Sequence, residues 1–129
     1  MDLFSFEQLT AYQFSRKLVV KTYKLIEKFP HEERYALASQ LMRAIVSVPS
    51  NIAEGNGRKS FKEKIHFLEF AYGSLLESFC QLQLAADLGY ISDEDLDVIR
   101  NSYFELSRII NGLSKSYESK LNDKKDSNQ

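Results

Sequence analysis

Few residues in this sequence could hold a metal ion or act as a nucleophile. The 129-residue chain has two histidines and one cysteine. His66 and Glu69 form a His-x-x-Glu pair, a spacing found in the di-iron sites of helical bundles. Such a site needs a second pair with its own histidine and two further helical glutamates, and the other histidine, His31, forms no such pair. We therefore predict no metal site and no other cofactor.

The small number of histidines and cysteines also argues against catalysis. A catalytic site needs a nucleophile or an acid–base group together with a partner that activates it. His31 lies in a polar link without such a partner, and Cys80 stands alone on a predicted helix. We predict no catalytic residue, and a protein that is not an enzyme.

Basic residues, in contrast, recur at a spacing that suits phosphate binding. Four lysines on the first predicted helix follow steps of four, three and four, so they project from one face. Such a row can follow a phosphate backbone, although it can also be a solvated face. A second basic group would extend the row if the two helix ends lie close. The predicted nucleic-acid-binding residues are Lys17, Lys21, Lys24, Lys28, Arg58, Lys59 and Lys62.

The charge of the chain is balanced overall but not along its length. A formal net charge of −1 gives no general attraction to nucleic acid or membrane. Residues 1–66 hold 11 lysines and arginines against 7 acidic residues, whereas residues 67–129 hold 6 against 11. These halves of opposite charge could pair across helices or across subunits.

A polar stripe accompanies a proline inside the second predicted helix. Pro49 removes a backbone donor and crowds the carbonyl of Ile45, which predicts a kink there. The stripe could satisfy the carbonyls that the kink frees, or face water. Alternatively, it could donate hydrogen bonds to a partner or a neighbouring subunit. Its members are Arg43, Ser47, Ser50, Asn51 and Glu54.

Hydrophobic periodicity and capping signals predict four helices. Ser5, Ser60 and Ser92 are candidate N-caps, and Gly89 suits the left-handed backbone after the third helix. The predicted helices span about 5–28, 32–56, 60–88 and 92–120, in one domain over 1–121. The polar tail over 122–129 is expected to be disordered.

Short links between these helices favour antiparallel neighbours. The predicted fold is all-α: an antiparallel up-down-up-down four-helix bundle whose second helix is kinked at Pro49. In the first helix, we expect the main core stripe to consist of Leu9, Tyr12, Val19, Tyr23 and Ile26.

The third helix carries apolar residues beyond those that its core face requires. Its seam runs in alternating steps of four and three from Phe61 to Ala86. Phe67, Phe70 and Leu84 point away from that seam, where a lone domain would expose them. Exposed phenylalanines one turn apart are typical of an interface. We therefore predict a homo-oligomer with these three residues at its interface.

Several sequence runs carry a resemblance to a known family. They are Arg43-Ala44-x-x-Ser47-Val48-Pro49-Ser50-Asn51-Ile52-Ala53-Glu54-Gly55, Phe6-Glu7-x-Leu9, Lys28-Phe29-Pro30, Arg58-Lys59-Ser60 and Leu88-Gly89-Tyr90-Ile91. Over about residues 4 to 118, the chain resembles the four-helix-bundle proteins encoded in intervening sequences of bacterial large-subunit ribosomal RNA genes. The resemblance implies an up-and-down bundle, assembly into five-membered rings and binding to RNA. The chain departs from the family where Met42-Arg43 replaces a pair of arginines.

Together these patterns predict a homo-oligomeric interaction protein, and the family resemblance implies that the oligomer is a ring of five chains. It would bind RNA, ribosomal RNA or a ribonucleoprotein through a basic helix face. The alternative is a protein scaffold that docks a partner on an apolar or polar helix face, without nucleic acid. Because the start of the chain lacks a signal-peptide pattern and no window is apolar enough to span a membrane, we expect a cytoplasmic protein with no membrane partner.

Overall fold

Four α-helices, joined by short links, make up most of the chain. The computed structural model describes the backbone of residues 1–127 and the side chains of residues 1–124. The helices are α1 (Thr10–Ile26), α2 (Leu37–Asn56), α3 (Phe61–Asp87) and α4 (Asp93–Ser127), and two short 3-10 helices span Ser5–Gln8 and His31–Glu33. Within residues 1–127 there is no strand. None of the described helices combines the length and the apolar character that crossing a membrane requires.

Each helix packs against two others. α1 lies against α2 and α4, and α3 lies against the same two helices. The prediction of an all-α four-helix bundle is therefore confirmed. Lys21 on α1 contacts Ser102 on α4, and Lys28, two residues beyond the end of α1, contacts Asp95, so the two contacts follow opposite sequence order. Pro49 lies inside α2, and a kink at this residue stays a prediction.

All four helices contribute to the core. Its largest fully buried apolar side chains are Leu18, Leu41, Ile45, Val48, Ile52, Leu75, Leu82, Leu106 and Ile110. α1 buries a face of small and hydroxyl-bearing residues together with two larger ones, namely Ala11, Ser15, Leu18, Thr22 and Ile26. Of the core stripe predicted for this helix, Ile26 is buried, and Leu9, Tyr12 and Val19 are partly buried against the core. Only the expected burial of Tyr23, which is exposed, is wrong.

Three capping signals act as the sequence predicts. The hydroxyl of Ser60 accepts a hydrogen bond from the backbone N–H of Glu63 at 3.1 Å, which fixes the start of α3. The side chain of Ser92 accepts one from the N–H of Asp95 at 3.0 Å, and the Asp95 carboxylate accepts one from the N–H of Ser92 at 3.2 Å. Gly89 has a φ of 78°, the left-handed conformation that ends α3.

The first two helices begin later than predicted. Ser5 starts a 3-10 helix, and the N-cap residue of α1 is Leu9, whose extended backbone separates the two elements. Ser5 as the cap of α1 is therefore wrong. The carboxylate of Glu33, in the 3-10 helix before α2, accepts a hydrogen bond from the N–H of Leu37 at 3.1 Å and so satisfies one free backbone donor in the first turn of α2.

The last helix runs past its predicted end. α4 continues through Ser127, beyond the end predicted near residue 120. Residues 128 and 129 of the tail predicted over 122–129 lie outside the described part. The ammonium groups of Lys120 and Lys124 each lie 5.8 Å from the centre of the Phe61 ring. These cation–π contacts stabilise the added turns against the start of α3.

Candidate nucleic-acid interface

The corner between α2 and α3 is built on a close helix approach. Gly55 is buried, and a β-carbon added to it would lie 2.7 Å from Cβ of Phe67. Only a residue without a side chain allows this approach. Immediately beyond it, the Arg58 guanidinium lies over the Phe67 ring, 4.6 Å from its centre. The close approach therefore positions a cation at the surface of the corner.

Three of the predicted phosphate-binding residues lie at this corner. We name Arg58, Lys59 and Lys62 the basic corner. All three are exposed. Within the part of the chain that the structure describes, none of them forms an ion pair with a carboxylate. Their charges are therefore open to an external anion.

Further lysines lie at the same end of the bundle. Lys64 donates a hydrogen bond to the carbonyl of Asn56 at the end of α2, and its ammonium lies 5.8 Å from the centre of the Tyr117 ring. Burial, and then the positive charge of Lys120, lower the pKa of Lys64. Sequence reasoning did not connect Lys64 with Tyr117 and Lys120, because this contact joins residues far apart in the sequence. Only Lys124 was placed in the predicted tail, and its helical spacing from Lys120 could have revealed it.

We name Lys17, Lys21, Lys24 and Lys28 the lysine row, of which the first three lie on α1 and Lys28 just beyond its end. Two of these lysines have partners on α4. The ammonium of Lys28 forms a 2.8 Å ion pair with Asp95, and that of Lys21 donates to the Ser102 hydroxyl at 3.1 Å. The hydrogen bond from Lys28, followed by that from the Ser92 backbone, lowers the pKa of Asp95. Lys17 and Lys24 are exposed, and neither has an ion-pair partner among the described residues.

The lysine row and the basic corner do not share one end of the bundle. Lys28 contacts the first turn of α4, whereas the start of α3 contacts the late turns of α4 through Phe61 and Tyr117, whose ring centres are 5.9 Å apart. The row therefore runs away from the corner towards its Lys28 end. We treat the two basic regions separately.

The polar stripe of α2 divides into an internal and an external part. The side-chain amide of Asn51 donates to the carbonyl and the hydroxyl of Ser47, both at 2.9 Å. The hydroxyl of Ser74 on α3 donates to the Ser47 hydroxyl at 2.9 Å. This network links α2 to α3 within one chain. The external residues Arg43, Ser50 and Glu54 are exposed.

The predicted oligomer residues differ in exposure. Phe67 is half-buried under Arg58, whereas Phe70 and Leu84 are 50% and 47% exposed. Phe70 touches His66 edge-on, with ring centres 4.4 Å apart, and Phe67 at 6.0 Å. Phe67 thus contributes mainly to packing within the chain, while the other two offer apolar surface.

The His66–Glu69 pair lies on the same exposed stretch of α3. Nδ1 of His66 is 3.7 Å from the Glu69 carboxylate, and both side chains are exposed. Among the described residues, no cluster of three or more histidine, cysteine, aspartate or glutamate side chains is placed to hold a metal ion. This pair therefore has no further ligand beside it in that part of the chain.

Fold and site together define a four-helix bundle with a basic corner between its second and third helices. A family model described as 23S rRNA-intervening sequence protein matches residues 7–112. The chain belongs to this family, as the sequence resemblance indicates.

The solved structures include a bundle of the same shape. A crystal structure of a protein with unknown function from the S23 ribosomal protein family, from Bacteroides thetaiotaomicron VPI-5482, superposes with a TM-score of 0.75. It is 22% identical in sequence, and the alignment covers 82% of this chain and 99% of that chain. This likeness supports the fold. No curated protein matched the chain.

Proposed function

We propose that this chain is a non-enzymatic, homo-oligomeric protein that binds RNA or a ribonucleoprotein through its basic corner. The observation that carries the proposal is the exposure of Arg58, Lys59 and Lys62 without a carboxylate partner in the described part of the chain. Phosphate contacts by lysine and arginine release counterions from nucleic acid, which is the main source of affinity for RNA that is not read by sequence. Lys17 and Lys24 add a weaker, separate contact region.

Assembly would strengthen this contact. Three cations on one subunit form a modest site, and several copies on one ring act as a multivalent surface with a higher overall affinity. The proposed assembly is a ring of identical chains, five-membered as the family resemblance implies. Leu84 and Leu88, which are 47% and 59% exposed near the end of α3, support a subunit contact there.

A second proposed function is a protein scaffold that binds its partner without RNA. It is supported by an apolar groove between α1 and α2, whose lining includes Phe6, Val20, Val46 and Pro49. Val20 and Val46 are 55% and 41% exposed. Because such a contact is apolar, its affinity should depend little on salt, which separates it from phosphate binding.

The first experiment measures solution mass by light scattering and then RNA capture on the same sample. The full chain is mixed with total cellular RNA at about 50 mM and about 200 mM salt. We expect a mass of several chains, and RNA capture that is strong at the lower salt and lost at the higher one. A monomer, or a protein that captures RNA at neither salt, would contradict the proposal.

The subunit contact is tested by Leu84→Asp. We expect the mass to fall to that of a single chain, because a buried carboxylate at an apolar interface is costly. Val98→Asp is the matched control, since Val98 is 73% exposed on α4, outside the proposed contact. It should leave the mass unchanged. An unchanged mass for Leu84→Asp, with the fold intact by circular dichroism, would exclude this surface as the interface.

A further inference from the structure

A row of aromatic rings continues from the basic corner along the outside of α3. The Arg58 guanidinium covers Phe67, Phe67 meets Phe70 edge-on at 6.0 Å between ring centres, and Phe70 meets His66 at 4.4 Å. Lys62 precedes His66 by four residues, so it lies one turn away on the same face of the helix. Cations thus flank a row of three aromatic rings over a short stretch of surface.

The outer rings of this row are accessible. Phe70 is 50% exposed, and the side chain of His66 is 60% exposed. Neither is used by the core, because the buried residues at this level of α3 are Leu68 and Ala71. An aromatic face at the surface beside cations offers a nucleobase a stacking partner while its phosphates contact the charges.

The charges along the row favour bases over phosphates at its outer end. Glu69 lies between His66 and Phe70 in the sequence, with its carboxylate 3.7 Å from Nδ1 of His66. A carboxylate here disfavours a phosphate beside Phe70. Glu63 lies on the same exposed surface, nearer Lys62. The cations at the corner therefore attract the phosphates of the RNA, and the aromatic rings are available to stack with its bases.

We propose that the basic corner and the Phe70–His66 surface form one binding site for single-stranded RNA. Arg58, Lys59 and Lys62 contact the phosphates, and an unpaired base stacks on Phe70. Duplex RNA binds less well, because its bases are stacked within the helix and cannot reach the rings. This inference rests on the proposed function and narrows its partner to unpaired RNA.

The outer face of α3 then has two different roles, RNA binding around Phe70 and subunit contact around Leu84. Phe70 and Leu84 are fourteen residues apart, which corresponds to roughly 21 Å along a helix. One end can therefore bind RNA while the other contacts a neighbouring subunit. Phe70, which the sequence assigns to the oligomer interface, belongs instead to the RNA site.

Fluorescence anisotropy with two labelled probes tests this site. The probes are a twelve-nucleotide oligouridylate and a twelve-base-pair RNA duplex, each titrated with the full chain. We expect tighter binding of the single strand. Phe70→Ala should weaken single-strand binding by roughly 5- to 100-fold, and Phe70→Tyr should restore it to within about 2-fold, because tyrosine also stacks. Phe104→Ala is the matched control, since Phe104 is 53% exposed on α4, and it should change nothing.

The contrary outcomes are distinct. Equal affinity for both probes together with no effect of Phe70→Ala overturns the stacking site but leaves RNA binding by the corner intact. A fall in solution mass caused by Phe70→Ala assigns Phe70 to the subunit interface and also overturns the inference. If the unaltered chain binds neither probe, the proposed function of RNA binding is itself contradicted.

A second variant guards against a folding defect in Phe70→Ala. The His66→Ala substitution removes an exposed ring that supports Phe70 and leaves the core untouched. We expect it to weaken single-strand binding by about 3-fold or more and to leave duplex binding unchanged. Equal loss for both probes would count against stacking.

Discussion

The lysine row of α1 and the basic corner carry the same kind of charge but differ in what surrounds them. In the row, Lys28 pairs with Asp95 and Lys21 donates to Ser102, so two of its four lysines contact α4. In the corner, the only described partner of a cation is an aromatic ring, that of Phe67. Helical spacing predicts which side chains share a face. Contacts with the neighbouring helix determine whether those side chains remain free to bind an external anion.

The first prediction compares the two regions by charge reversal. Substituting Glu for Arg58, Lys59 and Lys62 together should weaken RNA binding about 100-fold or more at about 0.1 M salt, because three phosphate contacts are lost. The same change at Lys17, Lys21 and Lys24 should weaken it by less than about 10-fold. Affinity measured by anisotropy checks both, with circular dichroism to verify the fold. Equal losses would show that the corner has no special role.

A second prediction concerns the packing that positions the corner. Gly55→Ala should lower the free energy of unfolding by about 1–3 kcal/mol, because its methyl group would overlap Cβ of Phe67. Gly112→Ala is the matched control. A β-carbon at Gly112 meets no atom within 4 Å, so this change should raise the stability by about 0.5–1 kcal/mol. Urea denaturation measures both. A neutral effect of Gly55→Ala would mean that α2 and α3 can separate at no cost.

The smallest effect is expected from the ion pair of the lysine row. Asp95→Asn should reduce the stability at pH 7 by about 0.5 kcal/mol, because it removes the carboxylate charge that both Lys28 and the backbone N–H of Ser92 contact. The folded chain lowers the pKa of Asp95 below its ordinary value of 3.8, so the contribution is complete above that pH and is lost as the pH falls through the lower value. Denaturation of both proteins between pH 7 and pH 2 should show the difference shrinking below about pH 4. A constant difference at all pH values would exclude this ion pair as its source.

Local signals in the sequence predicted much of the fold. The Ser60 and Ser92 caps and the positive φ of Gly89 depend on residues within a few positions of each other, and the structure confirms all three. The same is true of the seam of α3, where Leu68, Leu75 and Leu82 are buried. These features depend on residues close together in the sequence and not on contacts between helices.

The features that sequence reasoning missed depend on contacts between helices. Ser15 and Thr22 are fully buried on α1, which no apolar periodicity would select. The last turns of α4 looked like a polar tail because their contacts with Phe61 join residues far apart in the sequence. Phe67 looked like an exposed interface residue because its packing against Gly55 depends on the path of α2.

The candidate site was therefore only partly predictable. Its cations follow from composition and spacing, but their availability follows from which helix lies beside them. The separation of the lysine row from the corner, and the aromatic surface beside the corner, required the packed structure.

The most direct test of RNA binding by the basic corner is the salt dependence of its affinity for single-stranded RNA. The logarithm of the binding constant is plotted against that of the salt concentration, for the unaltered chain and for the variant with Glu at Arg58, Lys59 and Lys62. Because three contacts to a single strand contribute about −0.7 each, we expect the slope of the unaltered chain to be steeper by roughly 2 than that of the variant, which keeps only the weaker contacts of Lys17 and Lys24. The same slope for both proteins would contradict the assignment of phosphate binding to the corner.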